Sequence, residues 1–477
     1  MSRDGAVVHW FRRDLRVRDN TSLARAARDG DGVVTVFVLD DHYGSDPNVG
    51  PSRFRFLRES LEELAASVGR RGGRLLLRRG PAAEALPALL AEAGAKAVYA
   101  NAEIGPYPEE RDAAVHDALA ARGASLRLFQ DALLVDPDRV ATERGDPYTV
   151  YTPFARRWTA EEKAPPLPEP ASLAGPHRGL ASVPIERVGA WRDLPADPKA
   201  PRGGESEAFR LLEQFAAGPI ERYPDERNFP ARAGTSRLSP HLHFGTISAR
   251  TLHARAMEES RSASGRTAGR KWISELAWRE FYHSVLHHFP RVARESFRRE
   301  LDGLAWRSDR EGLDAWKRGE TGYPLVDAAM RELSTTNWMH NRARMVVASF
   351  LTKDLHVHWR EGERWFEHEL ADADQANNNG GWQWAAGTGT DAAPYFRIFS
   401  PVLQSRRFDP DGAYIRRFLP ALARVPDARI HEPWTMSPAE QDAFGCRIGR
   451  DYPAPIVDHS AERRVALDLW EAIKKGA

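Results

Sequence analysis

Two kinds of domain are predicted for this chain of 477 residues: an α/β N-terminal domain with a parallel, doubly wound sheet, and an all-α C-terminal domain. Three observations predict them. Between residues 5 and 131, short apolar runs alternate with amphipathic stretches, as in a βαβ series. Residues 160 to 206 hold nine prolines and no sustained period, as a linker does. From Glu207 onward the pattern is helical, with no convincing strand. The expected boundaries are 1–133 for the sheet domain, 134–205 for the linker and 206–477 for the helical domain.

The strand candidates, in order, are Ala6–Phe11, Val33–Leu39, Arg74–Leu77, Ala97–Ala100 and Ser125–Phe129. Between them lie amphipathic stretches such as Phe54–Val68 and Pro81–Ala93, long enough to cross back over a parallel sheet. No G-x-G-x-x-G follows the first strand, which excludes a Rossmann dinucleotide fingerprint. Its turn carries FRRDLRVRDN instead. Thirteen of the fourteen tryptophans follow residue 150, so the chemistry is expected in the C-terminal half.

Composition excludes several classes. A net charge of +1 gives no global field for nucleic acid, although charges can segregate by face. Only eight lysines stand among 68 cationic residues. That bias reads first as a GC-rich genome, with bidentate phosphate contacts reserved for particular arginines. A single cysteine, Cys446, excludes disulfides, a thiolate zinc site and an iron–sulfur cluster within one chain, and fits a reducing cytosol. The N-terminal apolar run is too short for a signal peptide, and no window of about 18 apolar residues reads as a membrane span.

The most unusual stretch runs from Asn337 to Arg397, where Trp338, Trp359, Trp382 and Trp384 sit among asparagines, paired acids and arginines. Asn- and Gly-rich backbone between indoles suits a flat, polar, conjugated ligand, and the arginines suit an anionic one. A dinucleotide with an aromatic head, such as a flavin, meets both demands. On a helix spanning Trp338 to Leu351, residues Trp338, Asn341, Met345 and Ala348 share a face. Asn341 there is either tied to backbone or in contact with a ligand, whereas Arg342 and Arg344 point to different sides. A second helix, Arg270–His288, places Trp272, Glu275 and Arg279 on one face, with Glu275 and Arg279 spaced as an i,i+4 pair and Trp278 alongside. GTSRLS, from Gly234 to Ser239, opens a helix either as a phosphate cradle or as an ordinary cap. Asp372 and Asp374 lack a third acid or histidine at metal-ligand spacing. Asp372 is suited to pair with Arg344, and Asp374 to accept from a heterocycle N–H. Gly380 and Gly381 admit close backbone approach.

Four blocks carry a wider resemblance: WFRRDLRVRDN near the start, GTSRLSPHLHFG (Gly234–Gly245), TGYPLVDAAMREL (Thr321–Leu333) and NRARMVVASFLTKDLHVHWR (Asn341–Arg360). Together they resemble the photolyase/cryptochrome family of blue-light flavoproteins over nearly the whole chain. The resemblance is strongest to bacterial class I cyclobutane pyrimidine dimer photolyases. It implies a carbon–carbon lyase holding a U-shaped FAD in the helical domain. By position in those motifs, Tyr223, Thr235, Ser236, Arg237, Leu238 and Ser239 would hold its phosphates and linker. Trp272, Glu275, Arg279, Asn341, Arg344, Asp372 and Asp374 would line the rest, with Asn378 at flavin N5. Trp382, Trp359 and Trp306 resemble the family's electron-hopping chain, each also being a plausible core residue.

The resemblance also implies a partner, UV-damaged DNA, whose dimer is flipped out of the duplex. Trp278 and Trp384 would form aromatic walls, Glu275 and Asn341 would hydrogen-bond the lesion, and Met345 would pack on it. Arg227, Arg342 and Arg397, with Gln404 nearby, would meet the DNA backbone. Glu275 is expected to act as a protonated hydrogen-bond donor. Within the family, (6-4) photolyases usually have histidines at the positions of Asn341 and Met345. Cryptochromes commonly carry Asp or Cys where this chain has Asn378. Both comparisons favour cyclobutane dimer repair over the (6-4) photolyase and the photoreceptor. A second, antenna chromophore is expected in the sheet domain. Folate-binding members have an Asn-Glu pair near Tyr107 and Pro108, which this chain lacks, so 8-hydroxy-5-deazaflavin is favoured over 5,10-methenyltetrahydrofolate, FMN or none. The protein is expected to be a cytoplasmic monomer, nucleoid-associated when bound to DNA.

Overall fold

A computed structural model describes residues 5–40, 49–188, 200–261, 265–391 and 397–476. Parts of two sequence features, residues 189–199 of the proline-rich segment and 392–396 of the tryptophan-rich stretch, lie outside the described residues. The N-terminal domain is a five-stranded parallel sheet of β1 (Ala6–Phe11), β2 (Gly32–Leu39), β3 (Leu76–Arg79), β4 (Ala97–Asn101) and β5 (Ser125–Phe129). The strand order is β3-β2-β1-β4-β5, with β1 paired to β2 from Ala6↔Gly32 to Phe11↔Phe37. All five strands fall where the apolar runs predict. β3 starts at Leu76 rather than Arg74, because its ladder with β2 begins at Val36↔Leu76. Arg74 instead gives its carbonyl to the Thr35 hydroxyl at 3.0 Å. Helices cover both faces, so β1 and β2 are almost wholly buried and need no polar alternation.

Strand order reverses direction beside β1, and ligands of such sheets bind at the carboxyl ends of the strands flanking that switch. The turn after β1 is built from buried charge rather than glycine. Arg12 donates to Asp112 at 2.6 Å, and Arg16 to Asp131 at 2.5 Å. Arg250, from the helical domain, reaches both Asp19 (2.9 Å) and Asp131 (2.6 Å). All six of these side chains, Arg12, Arg16, Asp19, Asp112, Asp131 and Arg250, are buried. The cationic turn is therefore a lock between the two domains. Losing one member of such a set strands a buried charge.

The proline-rich segment follows the sheet. Leu173 and Leu180 are buried, and Val33 N–H donates to the Ala174 carbonyl at 3.0 Å. Just before it, Tyr151–Ala160 forms a helix that packs Phe154 on Phe281 at 5.2 Å. From Glu205 on, the described elements are helical. The central ones are Gly265–His288, Pro324–Thr336, Asn341–Lys353, Trp359–Glu369 and Gln375–Ala386. Among the described residues no helix is long and apolar enough to cross a membrane.

Candidate functional site

The helix Gly265–His288 carries four of the predicted site residues. Trp272 is buried against Phe215, with ring centroids 5.0 Å apart. The i,i+4 pair expected between Glu275 and Arg279 does not form. Glu275 instead accepts a hydrogen bond from Arg227, 48 residues earlier in the chain. Arg279 turns the other way and donates to the Ala132 carbonyl at 2.9 Å. The reason is competition: a half-buried carboxylate gains more from a directed guanidinium on a neighbouring helix than from a helical neighbour. In this structure Glu275 thus accepts from Arg227. Tyr223 lies below Arg227, whose guanidinium carbon is 5.7 Å from the ring centroid. Trp278 is half-buried, with one face covered by Tyr151 at 3.6 Å and an interplanar angle of 6°.

Asn341 opens the helix Asn341–Lys353, which His340 caps by accepting from Arg342 N–H at 3.1 Å. Trp338 therefore lies before the helix, not on it. The predicted packed face is open at this end: Asn341 is exposed and Met345 half-buried, their side chains 4.0 Å apart. Arg342 donates to Asn228 at 2.7 Å and covers Phe408, while Arg344 bonds Asp372 at 2.8 Å. They diverge as expected, and the Arg344–Asp372 pair forms as expected. Burial and the charges of Arg342, Arg237, Arg344 and Arg227 push His340 down to about 3. It is neutral inside a ring of arginines, a setting that favours an anionic ligand.

Asp372 is buried, and its Oδ1 has no hydrogen-bond partner. Such an oxygen forfeits about 1–3 kcal/mol unless a ligand N–H or O–H meets it. Asp374 is occupied. It caps the helix Gln375–Ala386 through Asn377 N–H (3.0 Å), bonds the Asn377 amide (2.7 Å), and pairs with Arg13 of the sheet domain (2.5 Å). Burial opposes its charge, but His283 and Arg13 hold its carboxyl well below the usual range. Asn378 donates to the Glu363 carbonyl at 3.0 Å. Gly380 serves packing, since a Cβ there would lie 2.1 Å from Tyr282. Gly381 faces open space, as a ligand-facing glycine would.

Trp382 is buried, its ring resting on Gly362, where a Cβ would come within 2.0 Å of the indole. Gly362 sits one turn from Trp359 on the helix Trp359–Glu369, and Trp359 is also buried. His358 stands between Trp359 (5.7 Å) and the partly exposed Trp306 (5.1 Å). The three tryptophans thus run from interior to surface, with His358 bridging the last pair. Trp316, which sequence reasoning passed over, lies 6.1 Å from Trp382.

The GTSRLS segment is a partly buried loop leading into the short helix Ser239–Phe244, with Arg237 and Ser239 exposed. Arg237 adopts a left-handed backbone (φ 54°) and lies 4.5 Å over Trp338. No carboxylate among the described residues pairs with it, and the Thr235 and Ser236 hydroxyls make no protein hydrogen bond. Ser239 accepts from the Trp338 indole at 3.2 Å. The Leu238 side chain is core, so only its backbone is available to a ligand. Trp384 and Gln404 are half-buried, the Gln404 Oε1 without a partner, and Arg397 is exposed.

A cavity of about 310 Å³ lies at the carboxyl ends of β1, β2 and β4, against the helical domain. Trp10, Phe37, Phe54 and Leu57 give it apolar walls, and Arg12, Glu103 and Arg111 polar ones. Arg111 pairs with Glu103 at 2.9 Å and lies 4.9 Å over Trp10. The sequence missed Tyr151, Arg13 and His283. The aromatic cluster YTVYTPFARRW was the only local signal for Tyr151; Arg13 meets Asp374 across 361 residues.

A family model described as the FAD binding domain of DNA photolyase matches residues 272–472, and one described as DNA photolyase matches residues 7–171. The chain is 43% identical to the deoxyribodipyrimidine photo-lyase of Halobacterium salinarum, covering 97% of this chain and 98% of that protein. It superposes on the crystal structure of a bacterial class III photolyase from Agrobacterium tumefaciens with a TM-score of 0.93 at 38% identity, covering 100% of this chain and 99% of that one. An archaeal photolyase from Sulfolobus tokodaii, described with two FAD molecules and the implication of a novel light-harvesting cofactor, gives a TM-score of 0.82 at 30% identity, covering 98% and 99%.

Proposed function

The chain belongs to the DNA photolyase family, and on that premise we propose that it is a deoxyribodipyrimidine photo-lyase, repairing cyclobutane pyrimidine dimers in DNA with light and FAD. The observation that carries the site is Asp372, whose buried Oδ1 lacks a protein donor on the segment that leads to Asn378 and Trp382. That oxygen, the unused Thr235 and Ser236 hydroxyls, the exposed Arg237, which has no ion pair among the described residues, and the open face of Gly381 fit a dinucleotide with an aromatic head. Bound and reduced, FAD supplies one light-excited electron to the cyclobutane ring, which splits and returns it.

The residues of the chain do the binding and orienting. Thr235, Ser236, Arg237, the Leu238 backbone and Ser239 hold the phosphates, and Tyr223 and Trp272 wall the dinucleotide. Arg344 holds Asp372 in place for a ligand donor, and Asn378 faces the ring edge. Asp374 and Arg279 act from behind, by fixing the helix start and the junction with the sheet domain. Glu275, held by Arg227, accepts from a pyrimidine N–H, while the Asn341 amide donates to its carbonyl and Met345 packs on it. Trp278 and Trp384 flank the extruded bases. Arg227, Arg342 and Arg397 meet backbone phosphates, with Gln404 beside them. Trp382, Trp359 and Trp306 carry electrons between the interior and the surface.

The 310 Å³ cavity takes the antenna, for which we favour 8-hydroxy-5-deazaflavin on its aromatic walls and internally paired charges. An absorption spectrum of the purified protein separates this from folate, a second flavin or no antenna. The protein acts as a monomer in the cytoplasm, associated with the nucleoid when on DNA. The decisive experiment illuminates the reduced protein with a thymine-dimer oligonucleotide. Light-dependent loss of the lesion is expected. A flavin-loaded protein that leaves the lesion intact would point to a photoreceptor instead.

A further inference from the structure

At the far end of the helix that carries Glu275 and Trp278, two consecutive histidines, His287 and His288, close the last turn. Neighbours in sequence on a helix normally point about 100° apart. Here the chain is leaving the helix, and the two rings come together, centroids 4.8 Å apart at 73°. Both address one carboxylate. His287 Nε2 lies 3.1 Å from Asp138 Oδ1, and His288 Nε2 lies 3.9 Å from the same oxygen. The ligand-capable atoms of all three residues fall within 4.8 Å of one another. Metal bonds of about 2.0–2.1 Å at a tetrahedral angle require ligand atoms roughly 3.3–3.5 Å apart. The observed spacings bracket that value.

Two further observations separate this cluster from an ordinary surface hydrogen bond. His288 Nε2 is buried and has no hydrogen-bond partner, although it faces the carboxylate. The site also sits at the negative end of a long helix dipole, with the exposed Asp138 adding charge.

We propose that Asp138, His287 and His288 form a binding site for a divalent transition-metal ion of the zinc class, with water completing the coordination. Two imidazoles and one carboxylate suit Zn²⁺, Co²⁺ or Ni²⁺ and not Mg²⁺ or Ca²⁺, which take oxygen donors. The ion joins two segments. Asp138 belongs to the turn Pro137–Arg139, at the entry to the interdomain connection, and the histidines belong to the lesion-facing helix. Glu280 already bridges these segments by accepting from Leu134 and Val135 N–H at 2.5 and 3.2 Å. A bound ion is a second staple about two turns further along the helix. It stands apart from the flavin and DNA sites and does not depend on the reading of either.

The test uses the tag-free, flavin-loaded full chain, stripped with chelator and titrated with Zn²⁺ by calorimetry. One saturable site per chain is expected. His288→Ala and Asp138→Asn, on separate segments, should each weaken it by at least about 10–100-fold. Their flavin spectra and metal-free melting should match the parent. An excess of Mg²⁺ should displace nothing. Absence of saturable Zn²⁺ binding, affinity unchanged in both variants, or displacement by Mg²⁺ would each overturn the assignment.

Discussion

The domain junction and the pocket of the helical domain are both rich in arginine, yet they treat charge in opposite ways. At the junction each guanidinium is met by protein. Arg12 meets Asp112, Arg16 and Arg250 meet Asp131, and Arg13 meets Asp374. In the pocket the matching is incomplete, with a bare oxygen on Asp372 and, among the described residues, no carboxylate within ion-pair distance of Arg237. A region whose guanidiniums each meet a carboxylate of the protein is a lock. A region with buried polar atoms left over is built for something that arrives from outside.

That contrast can be broken or sharpened by substitution. The largest effect is expected at the lock. Asp131→Ala strands Arg16 and Arg250 and should cost about 3–5 kcal/mol of stability in denaturant unfolding. If it costs less than 1 kcal/mol, the junction is not a lock. Next comes Glu363, which burial pushes up to about 7, its Arg360 partner being too distant (3.9 Å) to compensate. A raised carboxyl gives stability that is complete below the unfolded value of 4.5 and is lost as pH rises toward 7. Glu363→Gln keeps the Asn379 contact and should flatten that decline by about 3 kcal/mol, as read from melting between pH 4.5 and 8. Gly362→Ala drives a methyl into the Trp382 ring and should cost about 1–3 kcal/mol, together with slowed photoreduction of the flavin. The smallest stability effect is expected at Asp372→Ala. The flavin-free protein should unfold within about 1 kcal/mol of the parent, while flavin retention on gel filtration falls sharply. If Asp372→Ala instead destabilised the flavin-free chain as much as Asp131→Ala does, the two regions would not differ in kind.

The contrast also marks what the sequence could disclose. Five strands and the long helices were legible because period and apolar runs are local properties. The segment around Asn341, Asp372 and Trp382 stood out because indoles beside asparagines and acids have no use in a plain core. Partner choice was not legible. Glu275 bonds Arg227 rather than its helical neighbour Arg279, and Asp374 is engaged by a residue from the first strand's turn. Both are decided by how distant elements pack, which spacing along the chain does not encode. Trp338 was placed on a helix that His340 in fact starts after it, because a histidine cap carries a weaker signal than Ser, Thr, Asp or Asn. Tyr151 was hidden in a stretch that reads as connection, although its ring covers Trp278.

Arg13 touches both halves of the molecule: it lines the cavity beside β1 and grips the carboxylate that starts the helix of Asn378 and Trp382. A single guanidinium shared by the two domains couples them mechanically: a shift at the mouth of the first strand pulls on the start of the helix that carries Asn378 and Trp382, so neither domain moves without the other feeling it.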